Sequence, residues 1–276
     1  MRMKVIACEV LLREICLYAA TSENICSLRF LPQGLHNEPD KLRRSLQDEI
    51  DRAEAEAEYD AIVLGYGLCS NGIVGVRARN TPTVVPRGHD CITILLGSKE
   101  RYQDYFDSHK GIYWYSAGWI EYNKQPSRKR YEETLAEYRA KYGDENAEYL
   151  MSMEQSWYRQ YSWGTYIDWG FPGSSRYAEF TKECAEFFGW SYDEVQGEHG
   201  LMKDLLHSAW EDSSKFLRVP PGMTIRPSYD DEIVVVAAQD TVREEERSRA
   251  RAVAANGAPG TTSLPWLSQS SVSKER

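Results

Sequence analysis

No apolar run in this 276-residue chain approaches the roughly 20 residues that a bilayer crossing needs. A signal-peptide core is missing too, because Val10, Leu11 and Leu12 run straight into Arg13 and Glu14. There is no basic surplus: the net charge is −9, which argues against a general nucleic-acid binder. Cysteine is scarce, with six residues at positions 8, 16, 26, 69, 91 and 184, too few and too scattered for a disulfide scaffold. These absences point to a cytoplasmic protein whose cysteines are free thiols or metal ligands.

What is present suits a sizeable core. Hydrophobic residues make up 42% of the chain, and most of the 18 Tyr and 8 Trp fall after Tyr102. Lys4 to Cys8 reads as a short buried strand, followed by a helix over Val10 to Ala20. Leu28 to Leu31 reads as a second strand. After Pro39 and Asp40, the spacing of Leu42, Leu46, Ile50, Ala53 and Ala57 predicts a helix. Asp60 to Gly65, Thr83 to Val85 and Ile112 to Tyr115 are further strands. A single helix is expected over Cys91 to Phe106, capped by Asp90. Strands and helices alternating at this interval predict an α/β fold: a Rossmann-like, doubly wound, mostly parallel sheet with right-handed crossovers.

The second half reads as helical and aromatic. Stripes at Tyr131, Leu135, Tyr138 and Tyr142, and at Tyr149, Met153, Trp157 and Tyr161, give helix over Arg128 to Tyr161. Tyr166 to Trp169 reads as a strand, Arg176 to Phe188 and Leu201 to Trp210 as helices. Glu232 to Ala237 is expected to be a late strand that returns this half to a sheet. The organisation is therefore an α/β region over 1–125, an aromatic-rich region over 126–240, and a disordered tail over 241–276.

In open parallel sheets, ligands bind beyond the carboxyl ends of the strands. Four successive strands each deliver a metal-competent side chain to that edge. Cys8 ends the first, His36 follows the second, Cys69 follows the third in GYGLCSNG, and His89 and Cys91 follow the fourth in PRGHDC. Cys91, at a helix start, is expected to have a lowered pKa. Cys16, Cys26 and Cys184 have no such placement and are read as structural. Two ligand sets fit. Zinc prefers thiolate and imidazole with one position open, which Cys69, His89 and Cys91 would supply, leaving Cys8 and His36 as a further ligand or an acid/base pair. Alternatively, Cys8, Cys69 and Cys91 would hold an iron–sulfur cluster with an open iron, His36 and His89 lying near the substrate. The His-x-Cys element favours zinc. Gly65, Gly67, Ser70 and Asn71 are read as facing the cofactor; the glycine spacing departs from a dinucleotide fingerprint and suits close backbone approach to a metal or its ligand. Trp114, Tyr115 and Trp119 are candidate walls of the same cavity. Glu121, Glu148 and Asp168 are conceivable acids or bases.

The runs LPQGLHNEPDKL, YGLCSNG, VPRGHDCITILLGS, YWYSAGWIE and FLRVPPGMTI resemble those of an uncharacterised family, a domain of unknown function from methanogenic archaea and anaerobic bacteria. The likeness spans Lys4 to Ala237. Its members are often encoded near corrinoid-dependent methyltransferases, which implies one-carbon metabolism, a corrinoid protein or methyltransferase as partner, and a small-molecule substrate. His89–Asp90–Cys91 is also similar to the His-x-Cys element of zinc methyltransferases in that metabolism. Those enzymes place their second cysteine downstream, where only Cys184 stands here. The expectation is a metal-dependent transferase acting on a methyl group or thiol. The alternatives are a non-enzymatic metal- or corrinoid-binding accessory, or an iron–sulfur lyase or reductase.

Overall fold

The first strand shows why the chain begins as it does. In the computed structural model, which describes residues 1–238, β1 (Arg2–Cys8) buries five consecutive residues from Met3 to Ala7. Only a strand covered on both faces can do this. A 3-10 turn over Glu9–Leu11 leads into α1 (Leu12–Thr21). Next come β2 (Ile25–Leu31) and α2 (Pro39–Glu56), which starts with proline in its first turn and buries Leu42, Leu46, Ile50 and Ala53. β3 (Ala61–Gly65) and β4 (Thr83–Pro86) are wholly buried.

The expected helix over Cys91 to Phe106 is two helices, α3 (Cys91–Leu96) and α4 (Lys99–Ser108). Gly97 adopts φ +87° at the break, and the Ser98 hydroxyl accepts the Arg101 N–H to restart the second helix. After β5 (Ile112–Ser116) come α5 (Ala117–Tyr122), α6 (Arg128–Tyr142), α7 (Asp144–Glu154) and a 3-10 stretch over Gln155–Gln160. The chain continues through β6 (Trp163–Asp168), α8 (Ser175–Phe188), β7 (Ser191–Gln196), α9 (Gly200–Leu206), β8 (Phe216–Val219), β9 (Thr224–Pro227) and β10 (Val234–Ala237). The tail expected over 241–276 lies outside the described residues.

The strands form a mixed α/β structure with two main sheets. The first runs β2-β1-β3-β4-β8, parallel except for β8, which lies antiparallel to β4. β5 does not extend this sheet, as the strand alternation suggested. It opens a separate parallel sheet, β5-β6-β7. The return to the first sheet is also made by a different strand from the one expected. β8 makes it, while β10 pairs with β9 in a two-stranded antiparallel ribbon. The Arg87 guanidinium holds that ribbon from inside, donating to the carbonyls of Ser213, Glu232 and Val234.

One core lies on each face of the first sheet. Ile6, Ile62, Leu64 and Val85 pack against α2. Val5, Ala7, Val63 and Val84 face a core that also holds Ile15 of α1, Leu95 of α3 and Leu205 of α9. Ile167 of β6 and Trp169 just beyond it join that second core, so it is shared by the two sheets. No helix among the described residues is long and apolar enough to cross a membrane.

Candidate functional site

The parallel order β2-β1-β3-β4 reverses direction at β1, and the loops leaving β1, β2, β3 and β4 meet above that point. There they enclose a cavity of about 310 Å³ lined by Cys8, His36, Cys69, His89 and Cys91, with Tyr66, Asp90 and Trp119. All five reactive residues singled out from the sequence thus border one space. Of the four loop residues read as facing a cofactor, Gly65 and Ser70 line the cavity, whereas Gly67 and Asn71 do not.

Two adjacent N–H groups tie the loop after β3 to the loop after β4. Leu68 N–H donates to the Gly88 carbonyl at 2.8 Å, and Cys69 N–H donates to the His89 carbonyl at 2.9 Å. The loops approach so closely that a Cβ on Gly67 would sit 2.6 Å from Asp90 N and 2.7 Å from the Gly88 oxygen. Cys69, Ser70 and Asn71 then follow one another at φ +47°, +55° and +67°. A run of left-handed non-glycine residues costs about 1 kcal/mol or more at each position, and surrounding structure must impose it. That strained turn carries the Cys69 thiol.

The loop after β4 is built around Asp90. Its carboxylate caps α3 by accepting the Ile92 N–H at 3.0 Å and the Thr93 N–H at 3.1 Å. Burial raises the Asp90 pKa, and those two N–H donors oppose the rise. His89 and Cys91 are thereby held on either side of a fixed residue. His89 is exposed at the cavity mouth, its ring 6.3 Å from that of Tyr102. His36 sits in the 3-10 turn Leu35–Asn37 with its ring edge-on to Trp119 at 5.7 Å. Burial lowers its pKa, although Asp90 pulls the other way, and so favours the neutral imidazole.

The thiols behave differently from the sequence expectation. Cys91, placed at a helix start, has a pKa raised well above normal, not lowered. Burial is the main cause, and Asp90, Cys69 and Cys8 add to it; a six-residue helix offers too little dipole to compensate. Cys69 is raised in the same way by burial, then by Asp90 and Cys8. Burial pushes Cys8 up to about 11. Cys8 adds to the rise at Cys69, and both add to the rise at Cys91, so the surroundings favour the protonated thiols. Among the described residues, no group of three or more His, Cys, Asp or Glu side chains is already gathered tightly enough to hold a metal ion.

Two polar groups on this wall have no hydrogen-bond partner, the Tyr66 hydroxyl and the Trp119 indole N–H. Tyr66 is only 3% exposed, and burial, followed by its cysteine neighbours Cys8 and Cys69, raises its pKa well above normal. The indole N–H is directed towards Cys91 and would favour its thiolate, yet falls short of hydrogen-bond geometry. Sequence reasoning missed Tyr66, whose one signal was its place between Gly65 and Gly67.

Of the three aromatic residues proposed as walls, only Trp119 lines the cavity. Trp114 packs against Tyr102 and Tyr105, and the Tyr115 hydroxyl donates to the Pro126 carbonyl. Trp119 belongs to α5, which rests backbone to backbone on the 3-10 turn after β1: a Cβ on Gly118 would lie 2.0 Å from the Val10 oxygen. A latch holds α5 there. Arg13 Nε donates to Glu121 Oε2 at 2.9 Å, and the Tyr177 hydroxyl donates to the same carboxylate. Glu121 is therefore spent on that contact. Glu148 is exposed beside Arg139 and Asp168 accepts the Gly170 N–H, and neither lines the cavity. A wider groove of about 930 Å³ with walls including Tyr131, Tyr158 and Trp190 is lined by Glu148 but by none of the cysteines and histidines read from the sequence.

Compared with known proteins, the chain matches no curated protein and no solved structure. A family model, described as a protein of unknown function, matches residues 30–206, a stretch that includes His36, Tyr66, Cys69, His89, Cys91 and Trp119 but not Cys8. The chain belongs to the DUF1638 family.

Proposed function

We propose that this protein is a metal-dependent transferase acting on a methyl group or thiol, with zinc held by Cys8, Cys69 and Cys91. One observation carries the reading: the ends of successive parallel strands bring three thiols and two imidazoles to a single cavity. The exposed position of His89, against the less exposed Cys8, favours the three-cysteine set over Cys69, His89 and Cys91. Metal binding would draw the sulfurs inward and release their protons to solvent. The strand order is that of a doubly wound sheet, which supports a Rossmann-like description of the first sheet.

Zinc held by these three cysteines would keep a position at which a substrate thiol would lose its proton easily. His36, whose burial favours the neutral imidazole, would accept that proton. The activated sulfur would attack the methyl carbon of a donor, forming an S–C bond while the donor would leave with the pair of the broken bond. A corrinoid-linked donor in one-carbon metabolism is the class we favour. His89, at the mouth, meets the incoming substrate.

The three-cysteine set also favours a second reading, an iron–sulfur centre with one open iron. Anaerobic purification of the full chain followed by metal and sulfide analysis separates the two. Colourless protein with one zinc per chain supports the first reading; brown protein with iron and acid-labile sulfide supports the second. A wild-type chain supplied with both metals that retains neither, or a Cys8/Cys69/Cys91 triple serine variant that retains the metal, overturns the site.

A further inference from the structure

The unpartnered Tyr66 hydroxyl and Trp119 indole N–H call for an explanation that packing does not provide. A buried donor without an acceptor is costly, and both face a cavity whose wall carries three sulfurs. No Lys or Arg lines that cavity among the described residues. Three thiolates around a divalent ion would leave surplus negative charge in a site with no fixed cation to balance it. Donor hydrogen bonds to sulfur are a means of spreading that charge.

We infer that Tyr66 and Trp119 are positioning residues that donate hydrogen bonds to the metal-bound thiolates, and that their present lack of partners is the mark of a site shaped for its loaded form. The inference rests on the zinc reading above. Tyr66 reaches the group from the loop after β3 and Trp119 from α5, so the sulfurs are approached from two sides. Each donor becomes satisfied as the thiols lose their protons and move inward. The same hydrogen bonds hold the sulfurs in place and lower their electron donation to the metal.

The test uses the full-length protein with Tyr66→Phe and Trp119→Phe, zinc affinity measured by competition with a chromophoric chelator, and cobalt(II) as a spectroscopic substitute. Removing the orphan hydroxyl should leave the metal-free Tyr66→Phe protein at least as heat-stable as wild type, since nothing is bonded to it. Zinc affinity should nevertheless fall about 10–100-fold. The sulfur-to-cobalt charge-transfer band should move to longer wavelength in both variants as the sulfurs lose their donors. A residue of merely structural importance would lower stability and leave the band in place. Unchanged zinc affinity with an unmoved band in Tyr66→Phe overturns the inference and leaves the zinc reading intact. Failure of wild type to bind either ion overturns both.

Discussion

Glu14 offers the sharpest physical test of the fold, because a carboxylate is buried in α1 with one oxygen unpartnered. Burial raises its pKa from the ordinary 4.5 to about 7, against the partial help of its own N–H and of Arg13, while Glu121 adds to the rise. The folded state thus binds this proton more tightly than the unfolded chain does. The resulting stability is complete below pH 4.5 and is lost as the pH climbs through 7. At about 1.4 kcal/mol per pH unit across that interval, the loss is roughly 3 kcal/mol. A glutamine keeps the shape and cannot ionise. Urea unfolding of wild type and Glu14→Gln, followed by tryptophan fluorescence at pH 4.5, 5.5, 6.5, 7.5 and 8.5, isolates the effect, because every other titrating group is common to both. The variant should gain on wild type by roughly 3 kcal/mol from the lowest pH to the highest. A stability difference that stays constant over the series would refute the argument that burial governs this carboxyl.

Two further substitutions probe the site's scaffold. Gly67→Ala drives a methyl group into the backbone at Gly88 and Asp90, so unfolding measurements should show a loss of about 1–3 kcal/mol, with less metal bound as Cys69 is displaced. Ser70→Gly relieves a left-handed residue and should stabilise the protein by about 0.5–1 kcal/mol in thermal melts while weakening metal retention, because the strained turn that aims Cys69 loosens.

The first sheet could be read from the sequence because its strands are buried on both faces and appear as unbroken apolar runs, as in Ala61–Gly65. Helix α2 showed its period plainly for the opposite reason, having one wet face. Convergence of Cys8, His36, Cys69, His89 and Cys91 followed from topology alone, since parallel strands bring all their exits to one edge. The second sheet escaped notice because β7 is a polar, largely uncovered strand, SYDEVQ, with no apolar run to signal it. β8 and β9 are four residues each, too short for a period to emerge. The thiol pKa values were misjudged at Cys91 because a local rule about helix ends was applied where burial, a property of the tertiary structure, dominates. Nothing local distinguishes the left-handed run at Cys69–Asn71 either; it is imposed by the hydrogen bonds to Gly88 and His89.

The sulfurs and the indole that roofs them belong to different sheets, the former to the loops of the first and the latter to the helix that follows β5. The two sheets share one core, so the way to the sulfurs is closed by packed layers from both and not by a single surface loop. The arginine of α1 that grips Glu121 helps hold the indole's helix in place. Breaking its grip would let bulky thiol reagents and oxygen reach the cysteines sooner, while the strands beneath them stayed where they are.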